Sequence, residues 1–135
     1  MYKRQHLKTI IDTCRRANPE LAIFWHSDGN IEPIIPDLIE IGVDILNPVQ
    51  PLAAGMDPFE LKREFGRDLA LHGGVDIQDF LIHASPQAVR DHTRRMIDVV
   101  GADGGFILAG SHSIQADTPP ENIVAMIETA KASMY

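Results

Sequence analysis

One cysteine, Cys14, is all the thiol that these 135 residues contain. An internal disulfide is therefore excluded, which suits a reducing cytoplasm, the expected location. Positive charge is also scarce: 12 Lys and Arg face 19 Asp and Glu, a formal net charge of −7. That balance argues against nucleic acid or an anionic membrane as the main partner, because both reward clustered cations. No apolar run approaches the length of a membrane span. Linkers, low-complexity tracts and blocks of like charge are missing, so residues 1–135 read as a single domain. A G-x-G-x-x-G turn after the first strand is missing too, which removes the Rossmann dinucleotide fold. What remains is ordinary for a globular protein, with 44% apolar and 23% charged residues.

The chain repeats one pattern four times. Strands are expected at Leu21 to Trp25, Val43 to Leu46, Leu69 to Leu71 and Phe106 to Ala109. Helical stretches are expected at Glu32 to Ile41, Pro58 to Phe65, Pro86 to Val100 and Pro119 to Met134. The basic opening MYKRQHLKTIIDTCRR could be a transit peptide, but Leu7, Ile10, Ile11 and Cys14 fall at helical spacing. It is read as an outer helix, with Cys14 a small core residue on its apolar stripe. Asp57, Ser85 and Thr118 each precede a proline and are expected to cap helices, Glu60 and Glu121 completing capping boxes. Gly42, Gly66 and Gly101 are expected to end helices in the left-handed conformation. Alternating strands and helices of this kind predict a parallel sheet covered by helices, either an open doubly wound sheet or a (β/α)8 barrel.

Polar residues gather after the strands: His26 and Asp28, Asn47 and Gln50, His72 and Asp76, Ser111 and His112. In both parallel architectures ligands bind at the carboxyl ends of the strands. The connections on the opposite side show no such grouping. His26 and Asp28, two apart on extended backbone, point the same way. The bland alternatives are a buried histidine satisfied by a carbonyl and an aspartate that shapes the turn before Gly29. Asn47 and Gln50 can donate and accept, which suits amide or carboxylate recognition. Asp76 serves equally well as a cap, and Gly73-Gly74 would let backbone approach a ligand. His6, His83 and His92 are assigned to the solvated surface.

The segments FWHSDGNIEPIIPDLIEIGVDILNPVQP, LHGGVD and GGFILAGSHSIQADTPPENI, in this order, resemble the C-terminal half of the uroporphyrinogen decarboxylase superfamily. That superfamily includes the decarboxylase itself and cobamide-dependent methyltransferases. The resemblance implies a (β/α)8 TIM-barrel type fold, of which this chain would be the C-terminal half-barrel: about four βα units preceded by a helix. A complete barrel has about 250 residues. A half-barrel leaves two parallel edges and an apolar face bare, so the chain is expected to need the N-terminal barrel half or a homodimer.

In the methyltransferase branch, His-x-Cys after the fifth strand and a cysteine after the eighth bind zinc. The matching positions here are His26, Asp28 and His112. All three residue types are legitimate zinc ligands, and three ligands with an open position is a catalytic arrangement. With no thiolate the trio would favour zinc or iron without sharp selection between them. Such an ion would activate a thiol or water opposite a methyl-corrinoid donor carried by a corrinoid protein. Replacement of both sulfurs puts the usual thiol acceptor in question. Asp28 and His112 are the candidate catalytic residues; Asn47, Gln50, His72, Asp76 and Ser111 are candidate substrate contacts. His72 could also support the metal ligands from behind.

In the decarboxylase branch, a metal-free lyase of porphyrin biosynthesis, the position of His112 also carries a histidine, which contacts the tetrapyrrole. Its arginines and aspartate lie in the N-terminal half, outside the resemblance. His-x-Asp with a distant histidine is also the facial triad of non-haem iron oxygenases, but those resemble all-β barrels. The third possibility is an inactive fragment, since half of the cavity wall would be missing and catalytic geometry tolerates little looseness.

Overall fold

The computed structural model describes residues 2–133. Helix α1, Tyr2–Ala17, leads into strand β1, Phe24–His26. A 3-10 turn at Glu32–Ile34 opens α2, Ile35–Ile41, followed by β2, Ile45–Val49, and α3, Pro58–Phe65. Strand β3 is Ala70–Val75; then come a short α4, Phe80–His83, and α5, Pro86–Arg95, which runs on as a π-helical turn, Met96–Val100. Strand β4, Phe106–Gly110, and α6, Pro120–Ala132, complete the described chain. The strands form one parallel sheet in the order β1-β2-β3-β4. This is a partial barrel, four βα units preceded by a helix.

Alternation along the strands decides what is covered. Trp25, Leu46, Leu71 and Phe106 lie side by side across the sheet, and Leu46 and Leu71 are fully buried beneath the helices. Ile35, Leu38, Ile41, Leu61 and Met96 supply the helix side of that core. A second cluster, around Val75, Leu81, Val89, Ala125 and Met126, packs α4 to α6 against the far end. The neighbours of the covered row point to the opposite face. There Phe24 is 48% and Ile107 43% exposed, so apolar side chains do stand bare on the uncovered face. The α1 stripe is likewise half-covered: Ile11 is buried, Ile10 is exposed, and half-buried Cys14 lines a groove of 370 Å³ beside β1.

Punctuation fares unevenly. The Asp57 carboxylate accepts from the Phe59 and Glu60 amides, and the Ser85 hydroxyl from that of Ala88. Glu60 turns to Arg63. Thr118 caps nothing: α6 begins at Pro120, and the Thr118 hydroxyl is buried without a partner. Two consecutive prolines explain the delay, because neither has an amide proton to donate to a cap. Gly42 is left-handed as expected, whereas Gly66 and Gly101 stay right-handed. At Gly101 the demand is steric, since a Cβ would lie 2.4 Å from the Ile97 carbonyl oxygen. Strands β1 to β3 begin one to three residues later than expected, and β3 reaches Val75. Side-chain alternation carries pairing past the end of each apolar run, into residues that are polar because they face the open side.

Candidate functional site

The carboxyl ends of the four strands carry nearly all of the candidate residues. His26 is the last residue of β1 and Asn47 its partner in β2. His72 lies in β3 opposite Ile107 of β4. The Asn47 side chain links the other two: its Oδ1 lies 2.6 Å from His26 Nδ1, and its Nδ2 2.6 Å from His72 Nδ1. The His72 ring also meets Phe24 edge to face, with centroids 5.3 Å apart. Burial lowers the pKa of His72 below the ordinary histidine range, against the opposing pull of a backbone hydrogen bond.

His26 therefore turns its other nitrogen outward. Nε2 lies 3.6 Å from Asp28 Oδ2, and both side chains are more than half exposed. Across the mouth, the His112 ring centroid is 6.4 Å from that of His26, with the planes at 66°. A pocket of 270 Å³ opens there, lined by Asp28, Gln50, Ile77, Gln78, Ser111 and His112. It joins the loops after β1, β2, β3 and β4 in one wall and contains no lysine or arginine.

Gln50 holds that wall together. Its Oε1 accepts from the Gly29 amide at 2.8 Å, and its Nε2 donates to Gln78 Oε1 at 3.0 Å. The side chain thus fixes the loop carrying Asp28, and both ends of its amide are in use. Ser111 is buried at the pocket floor, its amide bonded to the Val75 carbonyl. Asp76 is capping: its carboxylate accepts from the amides of Gln78, Asp79 and Phe80, and the residue is buried. Gly73 and Gly74 have a packing role. A Cβ would meet the Val49 backbone at the first and the Met96 methyl at the second, so close sheet and core packing already calls for glycine at both. His92 leaves the solvated surface to stack on Phe80, centroids 4.7 Å apart; its pKa is lowered by burial, then by Arg95, against Asp76.

The donor set of His26, Asp28 and His112 suits a divalent ion, and His26 has the outer hydrogen bond typical of a ligating histidine. The spacing is loose. Two imidazoles on one tetrahedral zinc have centroids about 5 Å apart, closer than the pair here. Among the described residues, no three His, Cys, Asp or Glu side chains form a ready metal cage. Sequence reasoning missed Gln78 and Asn122. Both are amides, and what marks them is the partner each finds across the fold.

Residues 2–133 match the family model described as "Uroporphyrinogen decarboxylase (URO-D)". The chain belongs to the uroporphyrinogen decarboxylase family. It is 32% identical over 74 residues to uroporphyrinogen decarboxylase from Azoarcus sp. strain BH72, an alignment covering 55% of this chain and 20% of that protein. The corresponding protein of Magnetococcus marinus is 21% identical over 133 residues, covering 96% of this chain and 35% of the relative. This URO-D family chain thus spans about a third of the length of that curated relative. Among solved structures, a methyltransferase from Methanosarcina mazei superposes with a TM-score of 0.71 at 19% identity, over 98% of this chain and 36% of that one. That likeness concerns the fold alone.

Proposed function

We propose that this URO-D family chain supplies one wall of a site for metal-assisted methyl transfer from a methyl-corrinoid or related donor to a small acceptor. The observation carrying this reading is the composition of the pocket mouth: His26, Asp28 and His112 face one another, and no cation lines the wall. On this wall a polycarboxylated tetrapyrrole would meet the Asp28 carboxylate and no lysine or arginine. Zinc or iron held by His26, Asp28 and His112 would supply Lewis acidity that makes a thiol or water nucleophilic near neutral pH. Asp28, whose second carboxylate oxygen would stay free with one bound to the ion, could accept the proton the acceptor gives up, while His112 would serve as a ligand. Ser111, Gln78 and Gln50 shape the wall, Gln50 by holding the Asp28 loop. Activity requires the N-terminal barrel half or a second copy, because four strands enclose only part of a cavity. A corrinoid protein is the corresponding partner.

The names of the sequence relatives favour a second reading, tetrapyrrole decarboxylation, in which His112 contacts substrate and no metal takes part. Elemental analysis of purified protein separates the two. Stoichiometric zinc or iron, lost in both His26→Ala and His112→Ala, supports methyl transfer. A metal-free protein that binds coproporphyrin-type ligands sinks it in favour of the decarboxylase.

A further inference from the structure

Three side chains from three neighbouring strands form one hydrogen-bonded row, His26–Asn47–His72. The central residue is neither acid nor base, so the row does not conduct protons. Its amide does something else: it presents an acceptor to one neighbour and a donor to the other, each at 2.6 Å. An oxygen facing His26 Nδ1 requires a proton on that nitrogen. An NH2 facing His72 Nδ1 requires a lone pair there. The two histidines must therefore be opposite tautomers, and Asn47 decides which is which.

We propose that Asn47 is a positioning residue that holds His26 as the Nδ1–H tautomer and His72 as the Nε2–H tautomer, keeping the His26 Nε2 lone pair free at the pocket mouth against the Asp28 carboxylate, which at 3.6 Å favours a proton on that nitrogen. The use made of that lone pair rests on the methyl-transfer reading; the tautomer order itself does not. The geometry explains why an amide stands between two imidazoles. A carboxylate there would accept from both rings, and an apolar side chain would release both. Half-burial of Asn47 and His72 keeps water from competing for the same atoms. Neutral His72, favoured by its burial, is the form this arrangement needs.

The test is nitrogen-15 NMR of histidine-labelled protein near pH 8.5, where two-bond proton–nitrogen correlations distinguish the two neutral tautomers. In the native chain, the unprotonated, far-downfield nitrogen should be Nε2 for His26 and Nδ1 for His72. Asn47→Asp should leave His26 unchanged and move the downfield resonance of His72 from Nδ1 to Nε2. Asn47→Leu should release His26, giving it Nε2–H character. The opposite order in the native chain overturns the proposal, as does an unaltered His72 in Asn47→Asp or an unaltered His26 in Asn47→Leu. Should Asn47→Leu fail to fold, the near-isosteric Asn47→Asp still decides. A metal-free protein with this order intact would end the methyl-transfer reading and leave the role of Asn47 standing; bound metal with the reverse order would do the opposite.

Discussion

Asn122 is buried in α6, and its Nδ2 donates to the carbonyls of Leu81 and Ala84, both at 2.9 Å. Those carbonyls end helix α4, where Ser85 starts the next helix and Pro86 has no amide to offer. Asn122→Ala removes both donors and strands both acceptors. Two such bonds at about 1–1.5 kcal/mol each, with some cavity cost, come to about 3–4 kcal/mol. The Asn122 Oδ1 is itself buried without a partner, and deleting it returns about 1 kcal/mol. The net loss is then about 2–3 kcal/mol, and an unfolding entropy of about 0.28 kcal/mol/K for this length makes that a Tm drop of about 7–11 °C. Calorimetry and urea titration would measure it. Asn122→Asp should lose more near neutral pH, because a carboxylate would then face two carbonyls. A change in Asn122→Ala below about 0.5 kcal/mol, the level of a surface substitution, would refute the capping account.

On the metal-assisted reading, Gln50→Leu, which frees the Asp28 loop, should weaken any zinc binding by about tenfold, the low end for outer-sphere partners; unchanged affinity by competition with a chromogenic chelator would show that the loop holds itself. His72 and His92 both have folded pKa values below the ordinary 6.5. Between those values the unfolded chain binds more protons, so stability is full above pH 6.5 and falls as pH drops through the folded pKa values. Urea midpoints at pH 7.5 and 5.5 should show that fall, with a shallower one in His92→Asn; identical slopes would contradict it. Asp57→Ala should cost about 1 kcal/mol, whereas Thr118→Val should be neutral or stabilising because it removes an unpaired hydroxyl; equal losses in urea would reverse these assignments. The bare face with Phe24 and Ile107 should make the isolated chain associate or precipitate, and a monodisperse monomer by light scattering, with native-like near-UV dichroism, would argue against that.

Local physics wrote much of this protein into its sequence. Apolar runs separated by amphipathic stretches determined the βα order, and Asp57-Pro58 and Ser85-Pro86 marked helix starts where the structure has them. The polar residues that close or follow the apolar runs, His26, Asn47, His72 and His112, marked the end of the sheet at which the pocket opens. Those signals act within a few residues, so they survive without knowledge of the partner strands. Where punctuation depended on surroundings it misled, as at Thr118, whose hydroxyl is buried, and Asp76, which was equally legible as ligand or cap.

Tertiary structure alone decided who meets whom. The pairing of His26 with Asn47, the reach of Gln50 to Gln78 and the capping of α4 by Asn122 join residues 21, 28 and 38 to 41 positions apart. Strand register and helix docking set those encounters, and both follow from how the whole core packs. A residue's type shows what it can donate or accept; only the folded neighbours determine whether that capacity is spent on the scaffold or left open to a ligand.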